Sequence, residues 1–264
     1  MCYQPLVDGR NFTLLGAEAL LRYRSPNRGL MSPGEFIMLL EKTGMICPVG
    51  KWILREALKQ CLEWRKVIPD FRISVNVSYV QLNKDGFDQE VLDVLEEEIT
   101  ESMHLRDFAK FNKIFTLWKQ AGINIAVDDF GTGYSSLSYL KRLQFDIIKI
   151  DQCFVSEVTE SAYNYRLIST VQELASFSNI KICLEGVETE KQLRLLNDLQ
   201  PDIYQGYLFS RPVEAPVFTA SFVDNGADAY ADYNTKVQRF TSLDVQERML
   251  DSHLLWNLMY DDPG

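Results

Sequence analysis

Tyr3-Gln4-Pro5-Leu6-Val7-Asp8-Gly9-Arg10-Asn11-Phe12-Thr13-Leu14-Leu15-Gly16-Ala17-Glu18-Ala19-Leu20-Leu21-Arg22 decides the topology of the chain. Residues 3–7 and 14–21 have the apolar character of strands. Only Asp8-Gly9-Arg10-Asn11-Phe12-Thr13 separates them. A parallel crossover needs about a dozen residues or more, so this link must be a hairpin. The first strand is therefore predicted to run antiparallel to the second.

Downstream, strand-like runs alternate with amphipathic helical ones. Strands are predicted over 72–77, in a run ending near Thr100, and over 124–127, 146–150, 181–184 and 203–209. With the first two, that makes eight. Ser32-Pro33-Gly34-Glu35 is a capping box with proline at the first helical position, and it opens a helix. Further helices are predicted over 49–67, 108–121, 161–177 and 189–199. Gly122 stops the second of these, and Thr189 with Gln192 caps the last. Strands alternating with helices imply a parallel sheet with right-handed crossovers. The fold class is thus α/β: a modified TIM (β/α)8-like barrel with an antiparallel first strand. Residues 1–223 read as the barrel domain. Residues 224–264 read as a C-terminal extension, a loop-like stretch followed by a helix over 235–260.

The chain has 264 residues, of which 46% are hydrophobic and 24% charged, an ordinary globular composition. No apolar run approaches the ~20 residues of a membrane span, and no signal peptide is expected. The five cysteines are scattered and contain no Cys-x-x-Cys pair. That argues against a disulfide framework or a cysteine zinc site and fits a reducing cytoplasm. Two histidines leave no multi-histidine zinc site. The net charge of −10 weighs against a nucleic-acid polymer as partner. It suits a site where carboxylates hold divalent cations, although an acidic surface alone accounts for it equally.

Polar residues recur at the strand ends. Glu18, Asn76, Glu98, Asp128 with Asp129, Lys149, Glu185 and Gln205 each lie in or just after a strand run. Singly, each has an ordinary explanation as a loop carboxylate, a turn cap or an ion-pair partner. Together they fall at strand C-termini, which converge on one face of a β/α barrel. Several carboxylates cannot stay ionised in one pocket unless cations offset them. Carboxylate and amide oxygens without histidine or thiolate suit Mg²⁺ or Mn²⁺. Two such ions bridged by an aspartate are a common apparatus for hydrolysing a phosphodiester.

These residues stand in an ordered set of motifs. They are Tyr3-Gln4-Pro5, Glu18-Ala19-Leu20-Leu21-Arg22, Asn76-Val77-Ser78, Glu98-Ile99-Thr100-Glu101, Asp128-Asp129-Phe130-Gly131-Thr132-Gly133-Tyr134-Ser135-Ser136-Leu137, Lys149-Ile150-Asp151, Glu185-Gly186-Val187-Glu188-Thr189 and Gln205-Gly206-Tyr207. Over residues 3–222 the chain resembles the bacterial EAL domain, the cyclic di-GMP phosphodiesterase family. The resemblance implies a TIM-like barrel with an antiparallel first strand. It implies that Glu18, Asn76, Glu98, Asp128, Asp129 and Glu185 hold two Mg²⁺ or Mn²⁺ ions. Lys149 would position the attacking water, Glu185 would help activate it, and Gln205 would support the water and metal shell. Arg22 would clamp a phosphate, for which its planar fork is suited. Gln4, Leu21, Asp151 and Pro212 would contact the nucleotide. Glu101 would anchor the loop that begins at Asp129. The implied reaction opens cyclic di-GMP to linear pGpG. The implied setting is a homodimer, cytoplasmic or in the cytoplasmic part of a membrane-attached protein, with sensory or cyclase domains upstream.

Some positions depart from the family pattern. Tyr23 stands where tryptophan is common, Leu184 replaces a usual alanine, and Gln200-Pro201 replaces a common Gly-Cys. None removes a ligand. Between Phe87 and Glu98 the chain is shorter than the pattern by about ten residues, less than three turns of helix. The complete ligand set favours an active enzyme. The shortened segment keeps open the alternative of a non-catalytic cyclic di-GMP receptor or protein-interaction module.

Overall fold

The computed structural model describes residues 1–84, 86–95, 100–102, 108–130, 145–230 and 232–233. The hairpin forms as its loop length requires. Strand β1 (Cys2–Asp8) pairs antiparallel with β2 (Leu14–Leu20), setting Gln4 opposite Glu18. Asp8 shapes the turn, because its Oδ1 accepts the backbone N–H groups of Arg10 at 2.8 Å and Asn11 at 3.0 Å. A small exposed hairpin follows, β3 (Tyr23–Ser25) with β4 (Gly29–Met31). It was not predicted, since it buries no apolar face that sequence alternation could reveal.

The remaining strands build the wall of the barrel. They are β5 (Arg72–Asn76), β6 (Thr100–Ser102), β7 (Ile125–Phe130), β8 (Ile147–Ile150), β9 (Lys181–Leu184) and β10 (Ile203–Tyr204). From β2 to β10 each is parallel to its neighbour. Antiparallel pairing of β10 with β1, Val7 opposite Tyr204, closes the sheet. The modified TIM barrel with a reversed first strand is therefore present. A short β11 (Val213–Glu214) lies beside the start of β1.

Two strands differ from expectation. The run expected to end near Thr100 extends past it, with Thr100 opposite Ser74 and Ser102 opposite Asn76; residues 96–99 lie outside the described residues. The helix Phe87–Leu95 precedes it. The strand expected over 203–209 stops at Tyr204. Beyond it the chain folds back on Val187, whose carbonyl accepts the Leu208 N–H at 3.0 Å. Gly206 permits this approach: a Cβ there would stand 2.1 Å from the Val187 carbonyl oxygen.

The helices follow their sequence signals. Glu35 Oε2 accepts the Ser32 N–H at 3.1 Å at the start of Pro33–Thr43. The helix Ile46–Arg65 buries Ile53, Leu54, Ala57, Leu58, Cys61 and Trp64 at helical spacing. Trp64 packs against Tyr3 and Phe218, with centroids 4.9 Å and 4.6 Å away, and its Nε1–H donates to Thr219 Oγ1 at 2.8 Å. Thus the long helix seals the outside of the reversed strand. The chain after residue 223 continues onto the barrel. Leu14 N–H donates to the Ala227 carbonyl at 2.8 Å, and buried Tyr230 packs edge-on against Phe209. The helix predicted over 235–260 lies outside the described residues. Among the described residues, no helix is long and apolar enough to cross a membrane.

Candidate active site at the barrel mouth

Parallel strands deliver their C-termini to one mouth of the barrel. There Lys149, on β8, forms a hub. Its Nζ lies 2.6 Å from Glu185 Oε1, 3.3 Å from Asp128 Oδ1 and 3.4 Å from Glu18 Oε2. The Lys149 and Glu18 side chains are each only 5% exposed. Amides complete the shell of Glu18. Asn76 Nδ2 donates to its Oε1 at 2.6 Å, and Gln205 Nε2 donates to its Oε2 at 2.6 Å. Gln205 Nε2 also donates to Gln4 Oε1 at 3.0 Å, and Gln4 Nε2 donates to the Ser210 carbonyl at 3.1 Å. Glu18, Asn76, Asp128, Lys149, Glu185, Gln205 and Gln4 thus meet from seven separate strands or strand ends.

Asp128 and Asp129 are consecutive, and an unbroken strand would point them to opposite faces. The strand is broken here. Asp129 has a φ of +51°, in the left-handed region that aspartate tolerates better than most residues. The β7–β8 register shifts between Val127 and Phe130. As a result, one oxygen each of Asp128, Asp129 and Glu185 lies within 4.8 Å of the others.

Among the described residues the charges at the mouth do not balance. One lysine faces three carboxylates, with Asp129 beside them. Burial would strip the proton from Lys149, yet Glu18, Glu185 and Asp128 hold its pKa well above the usual range. Burial also opposes ionisation of Glu18, but Lys149 and the amides of Gln205 and Asn76 outweigh it and lower its pKa. Glu185 goes the other way. Burial, opposed by Lys149 and reinforced by Asp128 and Glu18, pushes it up to about 8. A cation would relieve this excess. The donor set fits a hard divalent ion, because every candidate ligand atom is oxygen. A second observation agrees: among the described residues, the buried Gln205 Oε1 accepts no hydrogen bond. Buried polar atoms seldom stay unpaired, so a water or ion belongs beside it.

The substrate candidates frame the same mouth. Gln4, Arg22, Asp151 and Pro212 line a cleft of about 250 Å³ together with Glu18, Asp129 and Glu185. Leu21 lines an adjoining groove shared by Arg22, Asn76 and Asp128. Among the described residues Arg22 donates only to the Leu21 carbonyl, at 2.9 Å. Asp151 has a local duty as well, since its Oδ1 caps the helix Gln152–Ser156 through the Cys153 N–H at 2.8 Å. Glu98 and the loop after Phe130 lie outside the described residues. Glu101 lies on β6 opposite Val75.

The family model for the EAL domain matches residues 1–212. The chain belongs to the EAL domain family. Among curated EAL relatives, the bifunctional diguanylate cyclase/cyclic di-GMP phosphodiesterase MucR of Pseudomonas aeruginosa is 39% identical over 230 residues, covering 83% of this chain and 34% of MucR. The cyclic di-GMP phosphodiesterase PA2567 of the same organism is 35% identical over 223 residues, covering 81% of this chain and 38% of PA2567. The chain thus spans about a third of the length of the curated relatives it matches. A solved structure of the MucR phosphodiesterase in complex with cyclic di-GMP superposes with a TM-score of 0.76 at 37% identity, covering 81% of this chain and 92% of that one.

Sequence reasoning left two residues of this EAL domain without a role. Tyr207 lines the cleft, and the Arg211 Cζ lies 4.3 Å from the centroid of its ring. The spacing of an aromatic and an arginine four residues apart was visible in the sequence. The turn that stacks them was not.

Proposed function

We propose that this EAL domain hydrolyses cyclic di-GMP to linear pGpG. The reading is carried by the convergence of Glu18, Asp128 and Glu185 on one buried lysine, a carboxylate excess that calls for divalent cations. Membership in a family with cyclic di-GMP phosphodiesterases supports it. Glu18, Asn76, Glu98, Asp128, Asp129 and Glu185 would hold two Mg²⁺ or Mn²⁺ ions, which when bound would lower the pKa of a water and offset the phosphate charge. Lys149 fixes the three carboxylates and orients the attacking water. Glu185 would help to activate that water. Gln205 Oε1, without a donor among the described residues, accepts a hydrogen bond from it. Arg22 holds the phosphate, while Gln4, Leu21, Asp151 and Pro212 line the nucleotide groove. Water oxygen bonds to phosphorus as the bond to O3′ breaks, and O3′ leaves with a proton from solvent. The domain would work in the cytoplasm, as a homodimer and as part of a longer signalling protein.

Incubating the purified chain with Mn²⁺ or Mg²⁺ and cyclic di-GMP tests this. Chromatography should show pGpG, and a chelator should abolish it. The shortened segment before Glu98 leaves room for a second reading, a non-catalytic receptor. Binding without any pGpG would select it.

A further inference from the structure

The cleft at the barrel mouth is small. At about 250 Å³ it is below the ~300–1,000 Å³ typical of pockets that engulf a whole ligand. It adjoins the groove lined by Leu21, Arg22, Asn76 and Asp128, and a ligand larger than a phosphodiester would extend past its rim. One part of that rim is tied down by several hydrogen bonds. The segment from Gln205 to Pro212 is held by the Val187 N–H to the Gln205 carbonyl at 3.1 Å, by the Leu208 N–H to the Val187 carbonyl at 3.0 Å, and by Gln4 Nε2 to the Ser210 carbonyl at 3.1 Å. The hydroxyl of Tyr233 donates to the Leu208 carbonyl at 3.2 Å. This turn presents Tyr207 at the edge of the cleft, 46% exposed, with Arg211 over its ring. Among the described residues the Arg211 guanidinium makes no ion pair and donates no hydrogen bond. In a chain with 37 acidic and 27 basic residues, a fixed arginine with unused donors beside a carboxylate-rich cleft needs an explanation. Packing does not supply one, because both side chains are exposed.

We propose that Tyr207 and Arg211 form a base-recognition platform at the cleft rim that receives one guanine of the substrate. This rests on the phosphodiesterase reading above and names the residues that select the base. The tyrosine ring supports the guanidinium and the edge of the base by stacking. The guanidinium fork donates to O6 and N7 of guanine. Adenine presents an N6 donor where guanine has O6, so the same fork opposes it. The tied-down turn means that little ordering is needed on binding.

The test uses the whole chain with Mn²⁺ and three compounds: cyclic di-GMP as substrate, cyclic di-AMP as competing inhibitor, and bis(p-nitrophenyl) phosphate as a substrate with no base. Arg211→Met keeps the alkyl stem but loses the fork. It should lower kcat/KM for cyclic di-GMP about 10–100-fold, mainly through KM, and narrow the gap between the two cyclic dinucleotides. The loss should exceed that with bis(p-nitrophenyl) phosphate by the same factor. Tyr207→Ala should weaken both dinucleotides alike, and Tyr207→Phe should retain what alanine loses. An unchanged guanine preference in Arg211→Met overturns the platform, as does an equal loss with the baseless substrate, which would mark a merely structural role. If wild type cleaves cyclic di-GMP and Arg211→Met matches it, the platform alone falls. If wild type binds cyclic di-GMP without cleaving it, the phosphodiesterase reading falls, and dissociation constants must show the same Arg211 effect for the platform to stand. If wild type neither binds nor cleaves it, both fall.

Discussion

Asp146 and Asp202 stand just before β8 and β10, at the end of the barrel opposite the cleft. There each carboxylate has a partner for both oxygens. Asp146 accepts the Ile125 N–H at 2.8 Å and pairs with Lys119 at 2.8 Å. Asp202 accepts the Ile182 N–H at 3.0 Å and pairs with Arg10 at 3.4 Å. Each one ties the start of a neighbouring strand in place. At the cleft end, by contrast, Glu18, Asp128 and Glu185 compete for a single lysine. The difference teaches that residue type and strand position do not separate structural from functional carboxylates. Counting the cations available per carboxylate does: one each for Asp146 and Asp202, one for three at the cleft.

The contrast can be broken most forcefully at its hub. Lys149→Met removes the one cation shared by three carboxylates. It should abolish measurable turnover and destabilise the metal-free protein at pH 8 by ~3 kcal/mol, because buried carboxylates lose their partner. Thermal unfolding should move down by about 10 °C. An unshifted midpoint would mean that the hub carries no stability. Next in size, Glu18→Ala should lower turnover at least ~100-fold, since it removes the acceptor of two amides and, on the proposed reading, a metal ligand. Activity close to wild type would take Glu18 out of the metal shell.

A pH effect of intermediate size separates Glu185 from the carboxylates at the other end. Its folded pKa, about 8, is raised above the ordinary 4.5. The folded protein therefore holds this proton more tightly than the unfolded chain. That contribution is present in full below pH ~4.5 and is lost as pH rises through about 8. The melting temperature of metal-free wild type should fall between pH 6 and 8.5, and by less in Glu185→Gln. Added Mn²⁺ should restore it at the upper pH. Parallel curves for the two proteins would show that Glu185 does not hold the proton.

The smallest effect belongs to the opposite end. Asp146→Ala leaves the Ile125 N–H and Lys119 without this partner and should lower stability by ~1 kcal/mol, with turnover close to wild type. A large loss of activity would erase the distinction between the two ends.

Much of this architecture was legible in the sequence. Six residues between Val7 and Leu14 dictated the reversed strand, and the polar residues of successive strand ends located the mouth. The Thr189–Gln192 box was legible as well, although not its second use, in which Gln192 Nε2 reaches the Ser156 carbonyl at 3.1 Å. What escaped the sequence depends on departures from regular geometry. Alternation would point Asp128 and Asp129 apart, and only the positive φ at Asp129 brings both to the mouth. Gly206 looked like part of a strand, whereas its contact with Val187 turns the chain and exposes Tyr207. Asp146 and Asp202 could be told from Asp128 only once their long-range partners, Lys119 and Arg10, were in place.

The reversed first strand also determines where an input would enter. Cys2 lies level with Leu20, and Asp8 lies level with Ile203, so β1 begins at the cleft and runs away from it. In a longer protein carrying this barrel, a preceding segment would join at the working rim, two residues from Gln4 and its bond to Gln205. An all-parallel barrel would attach the same segment at the far end. Gln4 would then be among the first residues of the barrel wall to meet whatever precedes it.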